Sequence, residues 1–226
     1  MDDGAVIDIV AGIDEVGRGA VAGPVVAGAC ILSCDLYRRR HRRKRWSPYK
    51  RIPPCDCLIA DSKQLTPQER AVSYEWIVAH CVTGIGIVEA DDIESDGILA
   101  ATQLAMLRAV EDLSNRQQPT LLLVDGRDHF QFPHPHRSII RGDESEPAIA
   151  AASIVAKVTR DRLMAAYRTF YPVYGFEHHK GYGTRDHLRH IRRHGCCPLH
   201  RLSFLRRVLE KRQTAQSSAM ESCILS

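Results

Sequence analysis

The chain has 226 residues, 44% apolar and 26% charged, with a formal net charge of +4. That is long enough for one sizeable core, with or without a small appendage, and no run approaches the ~20 apolar residues needed to span a bilayer. The basic excess is local: residues 34–57 hold nine Lys and Arg against Asp35 and Asp56, which leaves the rest of the chain slightly acidic.

The N-terminus, Met1-Asp2-Asp3, is acidic and runs straight into a strand-like segment, unlike a signal peptide. That points to the cytoplasm, where the eight cysteines are by default free thiols. A zinc loop built on Cys30, Cys34, Cys55 and Cys57 stays open as an alternative. Against it, Cys-x-Cys is tighter than the usual zinc pairs and Cys30 lies inside an apolar strand.

In chain order, Val6 to Ile13 and Val25 to Leu32 are apolar runs bounded by glycine, the pattern of strands buried on both faces. Thr66-Pro67 opens a helix over 68–80, with Thr as cap and Pro at the first helical position. Thr83 to Glu89 is a third strand. Apolar residues at 98, 99, 104, 106, 107, 110 and 113 follow a helical period. Thr120 to Val124 is a fourth strand, stopping at Asp125-Gly126, and Ser138 to Arg141 a fifth. Pro147 opens a long helix through Phe170 whose alanine-rich start permits close packing on a sheet, and Pro172 stops it. Thr184 to His194 reads as a short helix, and Ser203 caps a last one. The pattern is an α/β sheet with helices on both faces and a small C-terminal helical lobe over 171–212. Residues 213–226 read as a frayed tail.

The chemistry begins at Gly12-Ile13-Asp14-Glu15-Val16-Gly17-Arg18-Gly19. This reading places a carboxylate pair at the mouth of a buried strand, where acids are costly unless solvated, paired or metal-bound. Gly-Arg-Gly beside it offers exposed amides and a guanidinium, suited to a phosphate- or sugar-bearing partner. Together they suggest a metal site that works on nucleic acid.

This motif, with Gly23-Pro24-Val25-Val26 behind it, resembles the opening motif of bacterial ribonuclease HII, a type 2 ribonuclease H. The similarity continues in Asp61-Ser62-Lys63-Gln64-Leu65, Leu123-Val124-Asp125-Gly126 and Gly142-Asp143. It extends through Ala150 to Asp161 (AAASIVAKVTRD) and His179-Lys180-Gly181-Tyr182-Gly183-Thr184, in the family's order. The resemblance implies a ribonuclease H-like mixed five-stranded sheet flanked by helices, within a catalytic domain over 1–212. It implies an endonuclease that cuts RNA in RNA–DNA hybrids, including one ribonucleotide embedded in duplex DNA. It further implies a usually monomeric enzyme that uses Mg²⁺ or Mn²⁺ and leaves 3′-hydroxyl and 5′-phosphate ends.

By the same similarity the catalytic and metal-holding residues are Asp14, Glu15, Asp125 and Asp143. Hard divalent ions take oxygen ligands, and two of them can serve an in-line phosphodiester hydrolysis. Taken singly, each acid has a plainer reading: a solvated pair, a turn after a strand, or an acid before a helix. Asp161, between Arg160 and Arg162, reads as structural. Gly17, Arg18 and Gly19 resemble the family's ribose sensor, with glycines admitting backbone to a 2′-hydroxyl. Tyr182 resembles the tyrosine that packs on the sugar at the DNA side of the junction. Lys63 and Lys157 are candidate phosphate contacts.

Two features depart from the family pattern. Ala20 stands where proline usually follows Gly-Arg-Gly, and residues 34–57 are longer and more basic than expected between these strands. The alternatives are a ribonuclease HIII-like enzyme, an inactive binder of hybrids or junctions, and an unrelated basic nucleic-acid-binding protein. Ribonuclease HIII normally has an extra N-terminal domain, whereas 13 residues precede Asp14. The third reading leaves the carboxylates unexplained.

Overall fold

The computed structural model describes residues 9–32 and 59–206. The basic segment, the cysteines at 34, 55 and 57, and the tail from 213 lie outside them. Cys30, Cys81, Cys196 and Cys197 are free thiols.

Five strands form one sheet in the order β3-β2-β1-β4-β5: β1 (Val10–Val16), β2 (Val25–Ile31), β3 (Val82–Val88), β4 (Leu121–Asp125) and β5 (His136–Ile139). β1, β2 and β3 pair antiparallel, whereas β1, β4 and β5 pair parallel. Between β2 and β3 runs α1 (Pro67–His80), closed at its N-terminus by a capping box between Thr66 and Glu69. α2 (Ala90–Asp96) and α3 (Ile98–Ser114) follow β3, and α4 (Gly142–Ser145) and α5 (Pro147–Ala166) follow β5. The expected long helix gives way at Tyr167 to a 3₁₀ turn over Tyr167–Thr169. The lobe beyond holds α6 (Phe176–His179), α7 (Arg185–His194) and a helical stretch over 202–206. No described helix is long and apolar enough to cross a membrane.

Strand parity sorts the two faces. Ala11, Ile13, Leu122 and Val124 join the apolar cluster under α3. Gly12 faces the other way, and a Cβ there would stand 2.1 Å from the Ala148 carbonyl carbon at the start of α5. Only glycine lets α5 approach β1 so closely. The same parity turns Asp14 and Asp125 toward α5.

The structure corrects one expectation. β1 does not end at Ile13 but keeps its pairing with β2 as far as Val16, opposite Val26. Asp14 and Glu15 are therefore successive strand residues on opposite faces of the sheet, not a pair in a turn. β5 likewise starts earlier than expected, at His136.

Candidate active site

Three elements deliver the acids. β1 and β4 run parallel with Ile13 beside Val124, so Asp14 and Asp125 emerge side by side at the same sheet end. Asp143 comes from α4, directly before α5. Carboxylate oxygens of Asp14, Asp125 and Asp143 lie within 4.8 Å of one another.

Backbone amides hold two of them from behind. The Gly142 amide donates to Asp125 Oδ1 at 2.7 Å. The Glu15 amide donates to Asp14 Oδ1 at 2.8 Å, and the Ser153 side chain on α5 stands close enough to Asp14 to favour its charged form. Ser153 is 2.8 Å from the Ser62 hydroxyl, which ties the Asp61–Leu65 loop to the same carboxylate. Burial, then repulsion from Glu15 and Asp125, raises Asp14 well above the carboxylate range. Burial, then Asp125 and Asp61, raises Asp143. A buried cluster of repelling carboxylates with only oxygen donors fits a hard divalent cation such as Mg²⁺ or Mn²⁺.

Glu15 stands apart from this trio. Arg18 Nη1 meets it at 3.2 Å and Asp128 at 2.8 Å. Burial raises Glu15 despite the Arg18 charge. Lys63 is exposed and lies 3.6 Å from Asp143 Oδ2. Burial opposes its charge, but Asp143, Asp61 and Asp14 hold its ammonium above the ordinary range. Lys157 is spoken for: its Nζ donates to Asp161 at 2.8 Å. Arg70 meets the same aspartate at 3.7 Å and donates to the carbonyls of Ser62 and Leu65. Asp161 thus buttresses the loop outside the acidic trio.

The Gly17–Pro24 turn is clamped by two fully buried arginines that sequence reasoning missed. Arg201 Nη1 donates to the carbonyls of Gly17 at 2.8 Å, Arg18 at 3.2 Å and Ala20 at 3.0 Å. Its Nε and Nη2 both reach Gly23 O. Arg160 donates to Pro24 O, Ala22 O and Lys180 O, and its guanidinium lies 5.6 Å from the Tyr182 ring centroid. Neither makes a carboxylate ion pair among the described residues. Burial and then the neighbouring Arg160 pull Arg201 down to about 9. Gly17 needs to be glycine: its φ is +96° and a Cβ would lie 2.2 Å from Arg160 Nε. With the carbonyls taken, the amides of Arg18 and Gly19 donate to no group among the described residues.

Tyr182 is half exposed on the adjoining loop. His187 Nδ1 meets its carbonyl at 2.9 Å, and His187 Nε2 lies 3.1 Å from His200 Nε2. The Cys197 amide donates to His200 Nδ1 at 2.9 Å. One neutral tautomer per ring satisfies this chain: His187 gives its Nδ1 proton to Tyr182 and accepts at Nε2 from His200. Arg160 falls inside the Ala150–Asp161 block, but no pattern marks its burial or that of Arg201, His187 and His200, since arginine is mostly exposed and histidine intermediate.

An acidic trio at the end of a mixed sheet, beside a glycine turn in which the Arg18 and Gly19 amides donate to nothing among the described residues, defines a ribonuclease H-like enzyme fold. A sequence model of the family described as Ribonuclease HII matches residues 56–207. A ribonuclease HII of Thermotoga petrophila is 42% identical over 196 residues, covering 87% of this chain and 73% of its own. Among solved structures, ribonuclease H2 from Pyrococcus horikoshii superposes with a TM-score of 0.65 at 23% identity, covering 89% of this chain and 97% of its own. Bst-RNase HIII in complex with Mn²⁺ gives 0.58 at 16%, covering 82% and 62%. The chain belongs to the ribonuclease HII family and is a ribonuclease H enzyme.

Proposed function

We propose that the protein is an endonuclease that hydrolyses the RNA strand of RNA–DNA hybrids and cuts 5′ of single ribonucleotides embedded in duplex DNA. The products are a 5′-phosphate and a 3′-hydroxyl. The observation that carries the reading is the convergence of Asp14, Asp125 and Asp143 within 4.8 Å, beside a turn whose Arg18 and Gly19 amides have no acceptor among the described residues. Asp14, Asp125 and Asp143, with Glu15 adding its charge from the Arg18 side, would hold Mg²⁺ or Mn²⁺. Bound there, two divalent ions supply water activation, charge neutralisation and stabilisation of the leaving 3′-oxygen; a Mn²⁺-bound relative of the same fold supports the class of metal.

The protein's own groups do the positioning. The Glu15 and Gly142 amides fix the orientations of Asp14 and Asp125, and Lys63 balances Asp143 while staying exposed to a phosphate. Lys157 contributes less directly, because its ammonium is committed to Asp161. The Arg18 and Gly19 amides offer donors to a 2′-hydroxyl, which also accepts and so distinguishes ribose from deoxyribose. Tyr182 packs on the next, deoxy, sugar. Arg160 touches both reading elements and sets their separation. In this reading residues 1–212 are one catalytic unit with a lobe from 171, acting as a monomer in the cytoplasm.

The test is the position and chemistry of the cut in a duplex holding one ribonucleotide. The expected product is a strand ending in a deoxynucleotide 3′-hydroxyl directly before the ribonucleotide. A 2′,3′-cyclic phosphate, which would mean attack by the ribose and not by water, would overturn the reading, and so would a cut on the 3′ side of the ribonucleotide.

A further inference from the structure

Helix α7 carries Arg185, Arg189, Arg192 and Arg193 against a single acid, Asp186. Its inner side is fixed: His187 and Leu188 are buried, and Leu188 and Ile191 pack with Val21 and Leu205. Val21 belongs to the Gly17–Pro24 turn, so the helix sits rigidly on the proposed ribose sensor. Arg185, Arg189 and Arg193 follow at intervals of four and lie in one line on the outer face. All three are exposed, and among the described residues only Arg189 has a carboxylate partner, Asp186.

Helix stability does not account for this stripe. Like charges four residues apart weaken a helix, and Arg185 in the first turn opposes the helix dipole. The dipole favours only the cations at the far end, Arg192, Arg193 and His194. A polyanion lying along the stripe reverses the sign of these terms.

We propose that Arg185, Arg189 and Arg193 form a phosphate track for the duplex on the DNA side of the ribonucleotide; this rests on the reading of Tyr182 given above. Thr184, two residues after Tyr182, caps α7 by accepting from the His187 amide, and His187 bonds back to the Tyr182 carbonyl. The track therefore starts at the residue that meets the first deoxy sugar. The three arginines span about 12 Å of helix, which matches three to four phosphates of one strand at about 3.4 Å each along the duplex axis.

The test compares wild type with the triple variant R185Q/R189Q/R193Q, substitutions on an exposed face whose folding is checked by thermal melting. Binding of single-ribonucleotide duplexes is measured by fluorescence anisotropy in chelator, over a range of KCl concentrations. One duplex has long arms, one is truncated on the 3′ DNA side and one on the 5′ side. Wild type binds the long-armed duplex more tightly than the 3′-truncated one, and the variant does not distinguish them. The slope of log Kd against log salt falls by about 0.9 for each phosphate the variant no longer neutralises, up to about 2.7. Equal slopes and equal arm dependence would overturn the track and leave the stripe to another occupant, such as an acidic protein surface. Loss of dependence on the 5′ arm instead would also overturn it. Because binding needs no turnover, a failure of cleavage or of the 5′ cut position registers separately, against the proposed function.

Discussion

Asp14 is buried beside Asp125, and the amide that donates to it offsets its charge too little to keep it in the ordinary carboxylate range. The opposite electrostatic problem lies a few residues away, where Arg160 and Arg201 are buried as cations with main-chain carbonyls for company. His187 solves a third version by staying neutral, pulled down to about 4, mainly by burial. The linkage follows in sign. Unfolded chain takes up a proton below the ordinary value of 6.5 that the folded form refuses until about 4. The contribution is complete above pH 6.5 and is lost as the pH falls toward 4, amounting to about 3 kcal/mol. Thermal melts across that range should show wild type losing stability on the acid side and His187→Gln losing less over the same window. Parallel acid slopes for the two proteins would contradict the neutral-histidine assignment.

The packing of α5 on the sheet decides whether the carboxylates meet. α5 brings Ser153 near Asp14, begins just after Asp143 and carries Arg160 to the Gly17–Pro24 turn. Its approach depends on Gly12, whose hypothetical Cβ would strike backbone, not a side chain that can swing away. Gly12→Ala should therefore cost about 3 kcal/mol or more, whereas Gly19→Ala, with nothing within 4 Å of the added carbon, should change stability by less than about 0.5 kcal/mol. Urea denaturation of the two variants checks the contrast; similar midpoints would refute the close-approach argument. These elements were legible from the sequence because their signals are local: Thr66-Pro67 opening α1, Pro147 opening α5, Asp125-Gly126 ending β4. The end of β1 was not. Glycines on both sides of Asp14-Glu15 imitate a turn, while the pairing of Val16 with Val26 depends on the register of the hairpin and leaves no local mark. The opposite facing of Asp14 and Glu15 was hidden with it.

At the scale of the whole molecule, a mixed sheet gathers acids at one end, and Arg201 in the C-terminal lobe holds the Gly17–Pro24 turn beside them. The trio could be named from ordered motifs, because a family resemblance spreads over Asp14, Asp125 and Asp143 together. The scaffold beneath could not: a buried arginine that serves carbonyls, or a histidine paired with another histidine, leaves no periodic or compositional mark. The central claim is that the three converging aspartates make a divalent-metal hydrolytic centre. It is tested most directly by hybrid cleavage measured against Mg²⁺ and Mn²⁺ concentration for wild type and Asp125→Asn, with melting temperatures taken alongside. Wild-type turnover should vanish in chelator, and folded Asp125→Asn should be at least about a hundredfold slower. A folded Asp125→Asn that cuts at the wild-type rate, or wild-type cleavage that persists in chelator, would contradict it.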